Sequence, residues 1–185
     1  MTRREGTQPA DERIRLFCGL RLPDDAVARL VPWQAEHLRG GRVVPPANLH
    51  VTLAFLGSRP AGDVEAVAGA LRSAAAGAEG IRLRARGYRE TRSVGMLTFD
   101  DDGGRGRALA ERLFGLLEAL AVYRREARPW LPHVTVLRFR ERPRLRPPLP
   151  LLGRIEPSDA AAYLSKLRPG GAEYVVLEPV TLGGT

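Results

Sequence analysis

A repeated pattern constrains this chain more than any other feature. One proline-containing turn leads into Leu49-His50-Val51-Thr52-Leu53, and a second leads into Pro132-His133-Val134-Thr135-Val136, with the two histidines 83 residues apart. Both stretches are apolar or β-branched at every second position, which is how a strand buried on one face reads. An echo at that spacing divides the 185 residues into halves of comparable length. The expectation is two related lobes, each carrying one such strand.

The remaining pattern fits strands and helices in mixed order. Ile14 to Leu22 reads as a strand stopped by Pro23, and Pro23-Asp24-Asp25 starts a helix that runs to about Arg39 and ends at Gly40-Gly41. Pro45 to Asn48 is a turn, Leu49 to Leu56 a strand closed by Gly57, and Ala61 to Ala76 a second helix. Ile81 to Arg86 and Val94 to Phe99 read as partner strands, and Arg107 to Val122 is the clearest amphipathic helix. His133 to Phe139 is a strand, Glu141 to Pro150 a Pro/Arg-rich loop, and the tail offers strands near Ala160 to Leu167 and Glu173 to Leu177. Antiparallel neighbours in this order predict an α+β fold. The expected plan is a polar tail over residues 1–12, one bilobal domain over 13–178 and a short tail over 179–185.

Charge narrows the partners. The formal net charge is +8 and 28 of the 29 basic residues are arginine, Lys166 being the exception. Such a balance favours an anionic partner such as RNA, a nucleotide or phosphate, although arginine-rich coding bias produces the same numbers. The lone cysteine, Cys18, excludes a disulfide framework and a cysteine metal cage, and fits a reducing cytoplasm. Ile14 to Leu22 is broken by Arg15 and Arg21, and Val64 to Ala78 carries Glu65 and Arg72 and falls short of the roughly 20 residues of a membrane span. No membrane association is expected.

The chemistry concentrates on the echo. Of three histidines, His37, His50 and His133, two begin a His-x-Thr on an expected strand, a coincidence on the order of one in two hundred by chance. Period 2 sets His50 and Thr52, and likewise His133 and Thr135, on the same face about 6 to 7 Å apart. Two facing imidazoles suit in-line displacement at phosphorus, where one takes a proton from the attacking oxygen and the other gives one to the departing oxygen. Two hydroxyls beside them would bind the non-bridging oxygens, where charge gathers. Nothing acidic flanks either histidine closely enough to complete a metal site, Asp100-Asp101-Asp102 reads as a solvated turn, and no Gly-x-x-x-x-Gly-Lys-Ser/Thr loop offers an ATP site. The Arg82/Arg84/Arg86/Arg89/Arg92 and Arg138/Arg140/Arg142/Arg144/Arg146 runs fit either RNA backbone or solvated faces.

These motifs resemble those of the two-histidine phosphoesterase superfamily. Arg15 to Pro23, Val44 to Gly57, Pro132 to Arg138 and Leu167 to Leu177 are similar, within it, to the bacterial and archaeal RNA 2',3'-cyclic phosphodiesterases, historically called 2'-5' RNA ligases. The resemblance implies two pseudo-twofold-related lobes of antiparallel sheet, helices outside, a central basic groove and no metal or other cofactor. It implies that His50 and His133 are the catalytic pair, with His50 as acid on O3' and His133 as base. It further implies that Thr52, Thr135 and Arg138 bind phosphate and that Phe55 lies near the nucleoside. Phe55 and Arg138 each follow their histidine by five residues, so plain alternation would point them off the histidine face and a bulge or strand end must intervene. Departures are Val136 for a leucine, Ala47 for an acidic residue, and Val43 for an aromatic, the last bearing on base preference. The expected activity is hydrolysis of terminal 2',3'-cyclic phosphates to a 2'-phosphomonoester by a monomer acting on RNA or nucleotides. The alternatives are an RNA-end-binding module without turnover and a small-molecule cyclic nucleotide phosphodiesterase.

Overall fold

Pro23 separates the first strand from the first helix: its missing N–H ends the pairing of β1 (Arg13–Arg21), and its carbonyl accepts the first turn of α1 (Asp24–His37). The computed structural model describes residues 12–183. After α1 come β2 (Arg42–Val43), β3 (His50–Pro60), α2 (Val64–Ala75), β4 (Leu83–Glu90), β5 (Val94–Asp101) and α3 (Arg105–Ala119). They are followed by β6 (His133–Arg138), β7 (Arg154–Ile155), β8 (Asp159–Arg168) and β9 (Gly171–Thr181).

All pairings are antiparallel and join in one sheet of order β7-β4-β5-β6-β3-β1-β8-β9, with β2 added beside β6. The architecture is α+β, as the mixed element order implies. The two lobes are the halves of this sheet: β1-α1-β3 in one matches β5-α3-β6 in the other, each a strand, a helix and an antiparallel neighbour. The halves meet where Val51 of β3 faces Val134 of β6. Each of these valines directly follows its histidine, so the local twofold passes between equivalent residues.

Apolar faces of sheet and helices close on one another. Leu16, Leu20 and Val51 from the first half are buried in the same cluster as Leu97, Leu113 and Leu117 from the second. Each such side chain contributes about 1.5–3 kcal/mol by leaving water. α2 packs on α3 and on β8 and β9, while α3 also touches β3 across the midline. Among the described residues, no helix is long and apolar enough to cross a membrane.

Several boundaries differ from the sequence reading, each for a local reason. Gly57 does not close its strand; with φ of 71° it lets β3 bulge at Leu56 and run on to Pro60 beside Arg13. β9 continues to Thr181, into the stretch expected to be a tail, because Pro179, Val180 and Thr181 stand opposite Ala161, Ala160 and Asp159. Pro179 is tolerated there because β9 is an edge strand. Residues 1–11 of the expected polar tail lie outside the described residues. In the Asp100 to Gly104 turn, the Asp101 carboxylate accepts the Gly106 and Arg107 N–H groups and so caps α3.

Candidate active site

The Val51 to Val134 contact determines what shares a face. Both valines are fully buried, so one residue to either side His50, Thr52, His133 and Thr135 turn to the opposite, half-buried face. The charges of His133 and Arg138 both reach His50 there, and each opposes its protonation.

Beyond the threonines both strands carry the same irregularity. Gly19 faces Thr52 and Cys18 faces Ala54, which leaves Leu53 as an extra residue. Met96 faces Thr135 and Gly95 faces Leu137, which leaves Val136 as an extra residue. Leu53 and Val136 each stand three residues after a histidine, so one bulge has been built twice. Each bulge resets the alternation and brings the residue five after the histidine back to the histidine face. Phe55 accordingly pairs with Phe17, a neighbour of His50, and Arg138 pairs with Val94 on one side and Arg42 on the other. The second bulge is braced from α1, where the buried Gln34 side chain donates to Val136 O at 2.8 Å and to Val44 O at 3.1 Å.

Both imidazoles are held by the same device. His50 Nδ1 donates to Asn48 O at 2.8 Å, and His133 Nδ1 donates to Leu131 O at 2.8 Å. With the proton committed at Nδ1, Nε2 is the atom left to exchange a proton with a substrate. His50 Nε2 lies 3.0 Å from Thr52 Oγ1, whose hydroxyl donates to the neutral ring.

The two histidines sit in unlike surroundings. The His50 ring is walled by Phe17, Tyr163 and Tyr174, with centroids at 4.8, 5.8 and 5.4 Å. This crowding strips water and, despite the Asn48 carbonyl, pushes the His50 pKa down to about 4, with the charges of His133 and Arg138 adding to the effect. Burial pushes the Tyr163 phenol up to about 12, so this ring stays neutral beside the imidazole. Beside His133, in contrast, a cleft of about 400 Å³ opens next to Thr52, Phe55, Val94, Met96 and Trp130. Trp130 Nε1 donates to Thr52 O at 2.9 Å and so ties the loop before β6 to β3. Phe55 is half exposed with the Arg15 guanidinium 5.5 Å above its ring, and Arg138 is exposed and donates to Tyr174 Oη at 3.3 Å.

All six residues singled out from the sequence thus lie on or beside one face. The sequence reading missed Phe17, Tyr163 and Tyr174, which reach His50 from other strands, and Trp130, whose only signal was an aromatic in the turn before His133. The other candidates are accounted for elsewhere. Cys18 is a fully buried thiol pushed up to about 12, and His37 ends α1 beside Glu36 and Trp33. Arg82, Arg84 and Arg86 pair with Glu156, Asp102 and Asp100. No group of three or more His, Cys, Asp or Glu among the described residues could hold a metal ion.

Comparison with known proteins adds to this geometry. A family model described as LigT like Phosphoesterase matches residues 20–93. An RNA 2',3'-cyclic phosphodiesterase of Thermus thermophilus is 35% identical over 92% of this chain and 91% of its own. Among solved structures, a Thermus thermophilus protein superposes with a TM-score of 0.78 at 31% identity, covering 92% of this chain and 99% of that one. Escherichia coli LigT complexed with 3'-AMP also superposes with a TM-score of 0.78, at 25% identity and with the same coverage.

Proposed function

The chain belongs to the LigT-like phosphoesterases, the family of the RNA 2',3'-cyclic phosphodiesterases, and on that premise we propose that it opens terminal 2',3'-cyclic phosphates on RNA or nucleotides. The observation that carries this reading is the shared face of the two His-x-Thr pairs, each imidazole anchored through Nδ1 with Nε2 turned to the site. The 3'-AMP bound by Escherichia coli LigT supports a nucleotide as the ligand class.

His133 takes a proton from water as the water oxygen attacks phosphorus. His50 gives a proton to O3' as the P–O3' bond breaks, leaving a 2'-phosphomonoester. Thr52 and Thr135 donate to the non-bridging oxygens and Arg138 offsets their charge. Phe55 and the aromatic-lined cleft beside it receive the nucleoside. The reaction needs no metal, because the two proton transfers fall to His50 and His133 and the charge on phosphorus to Thr52, Thr135 and Arg138. One chain carries both motifs, so a monomer suffices.

With its pKa pushed down to about 4, His50 is neutral at pH 7, whereas its role as acid needs the charged form. A bound cyclic phosphate supplies the missing negative charge beside it and neutralises Arg138, which otherwise opposes protonation. Substrate binding is therefore coupled to proton uptake at His50. Calorimetry of an unreactive phosphate analogue in buffers of different ionisation enthalpy reads this uptake directly; release of a proton, or no exchange, reverses the acid and base assignments.

Incubation with 2',3'-cyclic AMP and with a cyclic-ended oligonucleotide, with and without EDTA, tests the whole reading. The expected product is the 2'-phosphate, formed equally well in EDTA. A 3'-phosphate contradicts the seating of the nucleoside. Loss in EDTA with recovery on adding a divalent ion overturns the mechanism, and stoichiometric binding without product overturns the reaction.

A further inference from the structure

The catalytic face accounts for Arg138 but not for the cations around it. β2 pairs with β6 so that Arg42 and Arg138 are directly opposed in register, a placement unfavourable for two like charges. Arg138 also lines a second pocket of about 640 Å³, with Arg42, Arg140 and Arg168 around it and Glu141 as its one acidic member. Part of this cluster is fixed in place. Arg42 Nη1 donates to Gly170 O, and Arg168 Nε pairs with Glu173 at 3.0 Å. Arg140 pairs with no carboxylate among the described residues and is exposed. The same arginine run is disciplined further along: the buried Glu90 carboxylate accepts from Arg142 Nε and from the Arg144 and Leu145 N–H groups, which pins the loop that follows β6.

The arrangement is asymmetric about the reacting centre. The cleft at Phe55 and His133 offers aromatic surface from Phe55, Phe114, Tyr123 and Trp130 to a base and has Arg124 and Arg128 offset by Glu126, while the other pocket gathers Arg42, Arg138, Arg140 and Arg168 against Glu141 alone and is the more suited to phosphate. Arg138 borders the cationic pocket and faces the reacting phosphate as well. A strand whose last phosphate sits at Arg138 has its preceding phosphodiester one nucleotide away, on the 5' side, within the same cationic field. We propose that the pocket formed by Arg42, Arg140 and Arg168 receives this penultimate phosphodiester and makes the enzyme selective for oligonucleotide ends over mononucleotides. This rests on the reading of the site as a cyclic phosphodiesterase and names its substrate class.

The test compares kcat/KM for an oligoribonucleotide ending in a 2',3'-cyclic phosphate with that for 2',3'-cyclic AMP, on the same protein preparation. Wild type favours the oligonucleotide, and Arg140→Ala or Arg168→Ala each lowers that preference by about tenfold, the effect of one lost charge-assisted contact. Arg140→Lys keeps the charge and restores most of the preference. The oligonucleotide also shows the steeper salt dependence, by about 0.7 in the log–log slope for each added phosphate contact. Equal preference for the two substrates in wild type overturns the subsite, as does loss in the variants that strikes both substrates in proportion. Failure of wild type to open either substrate refutes the phosphodiesterase reading instead, so the two failures are told apart.

Discussion

Leu53 and Val136 interrupt their strands at the same distance from the two histidines, yet the residues delivered by the two bulges are Phe55 in one half and Arg138 in the other. Other equivalent positions diverge in the same way. Phe17 and Gly19 of β1 face Phe55 and Thr52, where Val94 and Met96 of β5 face Arg138 and Thr135. The β8–β9 hairpin closes over His50 with Tyr163 and Tyr174, while the half with His133 keeps an open cleft. The two halves hold their imidazoles by equal anchors, but the side chains around them differ, with one half crowding its histidine and the other leaving a cleft open beside it.

The sharpest way to break this comparison is to remove each histidine in turn. His50→Ala and His133→Ala are each expected to lower kcat by roughly 10²- to 10⁴-fold, with the double variant losing less than the product of the two. Near wild-type turnover in either single variant would dissolve the pair. His37→Ala serves as the control and leaves turnover unchanged.

The next largest effect separates the two bulge products. Arg138→Ala should lower kcat/KM about 10²-fold or more, because a charge opposing the phosphate is lost in the transition state. Phe55→Ala should instead raise KM several-fold, roughly up to tenfold, with kcat little changed, as expected for lost nucleoside packing. The opposite partition would exchange the tasks of the two halves.

Gly19 and Met96 offer a finer cut. A Cβ on Gly19 would stand 3.1 Å from His50 Cδ2 and 3.1 Å from Val51 O, so Gly19→Ala displaces the imidazole by a few tenths of an ångström. A roughly tenfold loss in kcat is expected, since small misplacements of a catalytic group are costly. Met96→Ala, at the equivalent position beside Thr135, should act mainly on KM through the cleft it lines. Equal effects on kcat would mean that His50 is no more tightly walled than its counterpart.

The smallest effect is on stability. His50 is held near 4 in the folded protein against its ordinary 6.5, so between these values the unfolded chain binds the extra proton. Stability should therefore fall as pH drops from about 6.5 toward 4, by roughly 1–3 kcal/mol from this residue. His50→Gln should flatten that part of the urea-unfolding profile. An unchanged slope would show that the aromatic wall does not desolvate the ring.

Much of the site was legible because its signals are local. His50, Thr52, His133 and Thr135 stand out by an alternation that any strand buried on one face must show, and the need for a bulge or a strand end before Phe55 and Arg138 followed from counting faces. Phe17, Tyr163 and Tyr174 were invisible by the same token. They lie on β1 and on the β8–β9 hairpin, so they reach His50 only through strand pairing. The arginine runs looked alike in sequence, and only position separates them: Arg82, Arg84 and Arg86 face carboxylates, whereas Arg138 and Arg140 border a pocket.

By itself the sequence determined the number of His-x-Thr motifs, the face on which each lies within its own strand, and the α+β order of elements, since period and turn chemistry act between neighbours along the chain. The tertiary structure decided that Val51 meets Val134, that the two motifs therefore share a face, and that aromatic rings wall His50 while a cleft opens beside His133. Desolvation and charge fall off with distance in space and not with separation in sequence, so residues more than a hundred positions away govern the proton on His50.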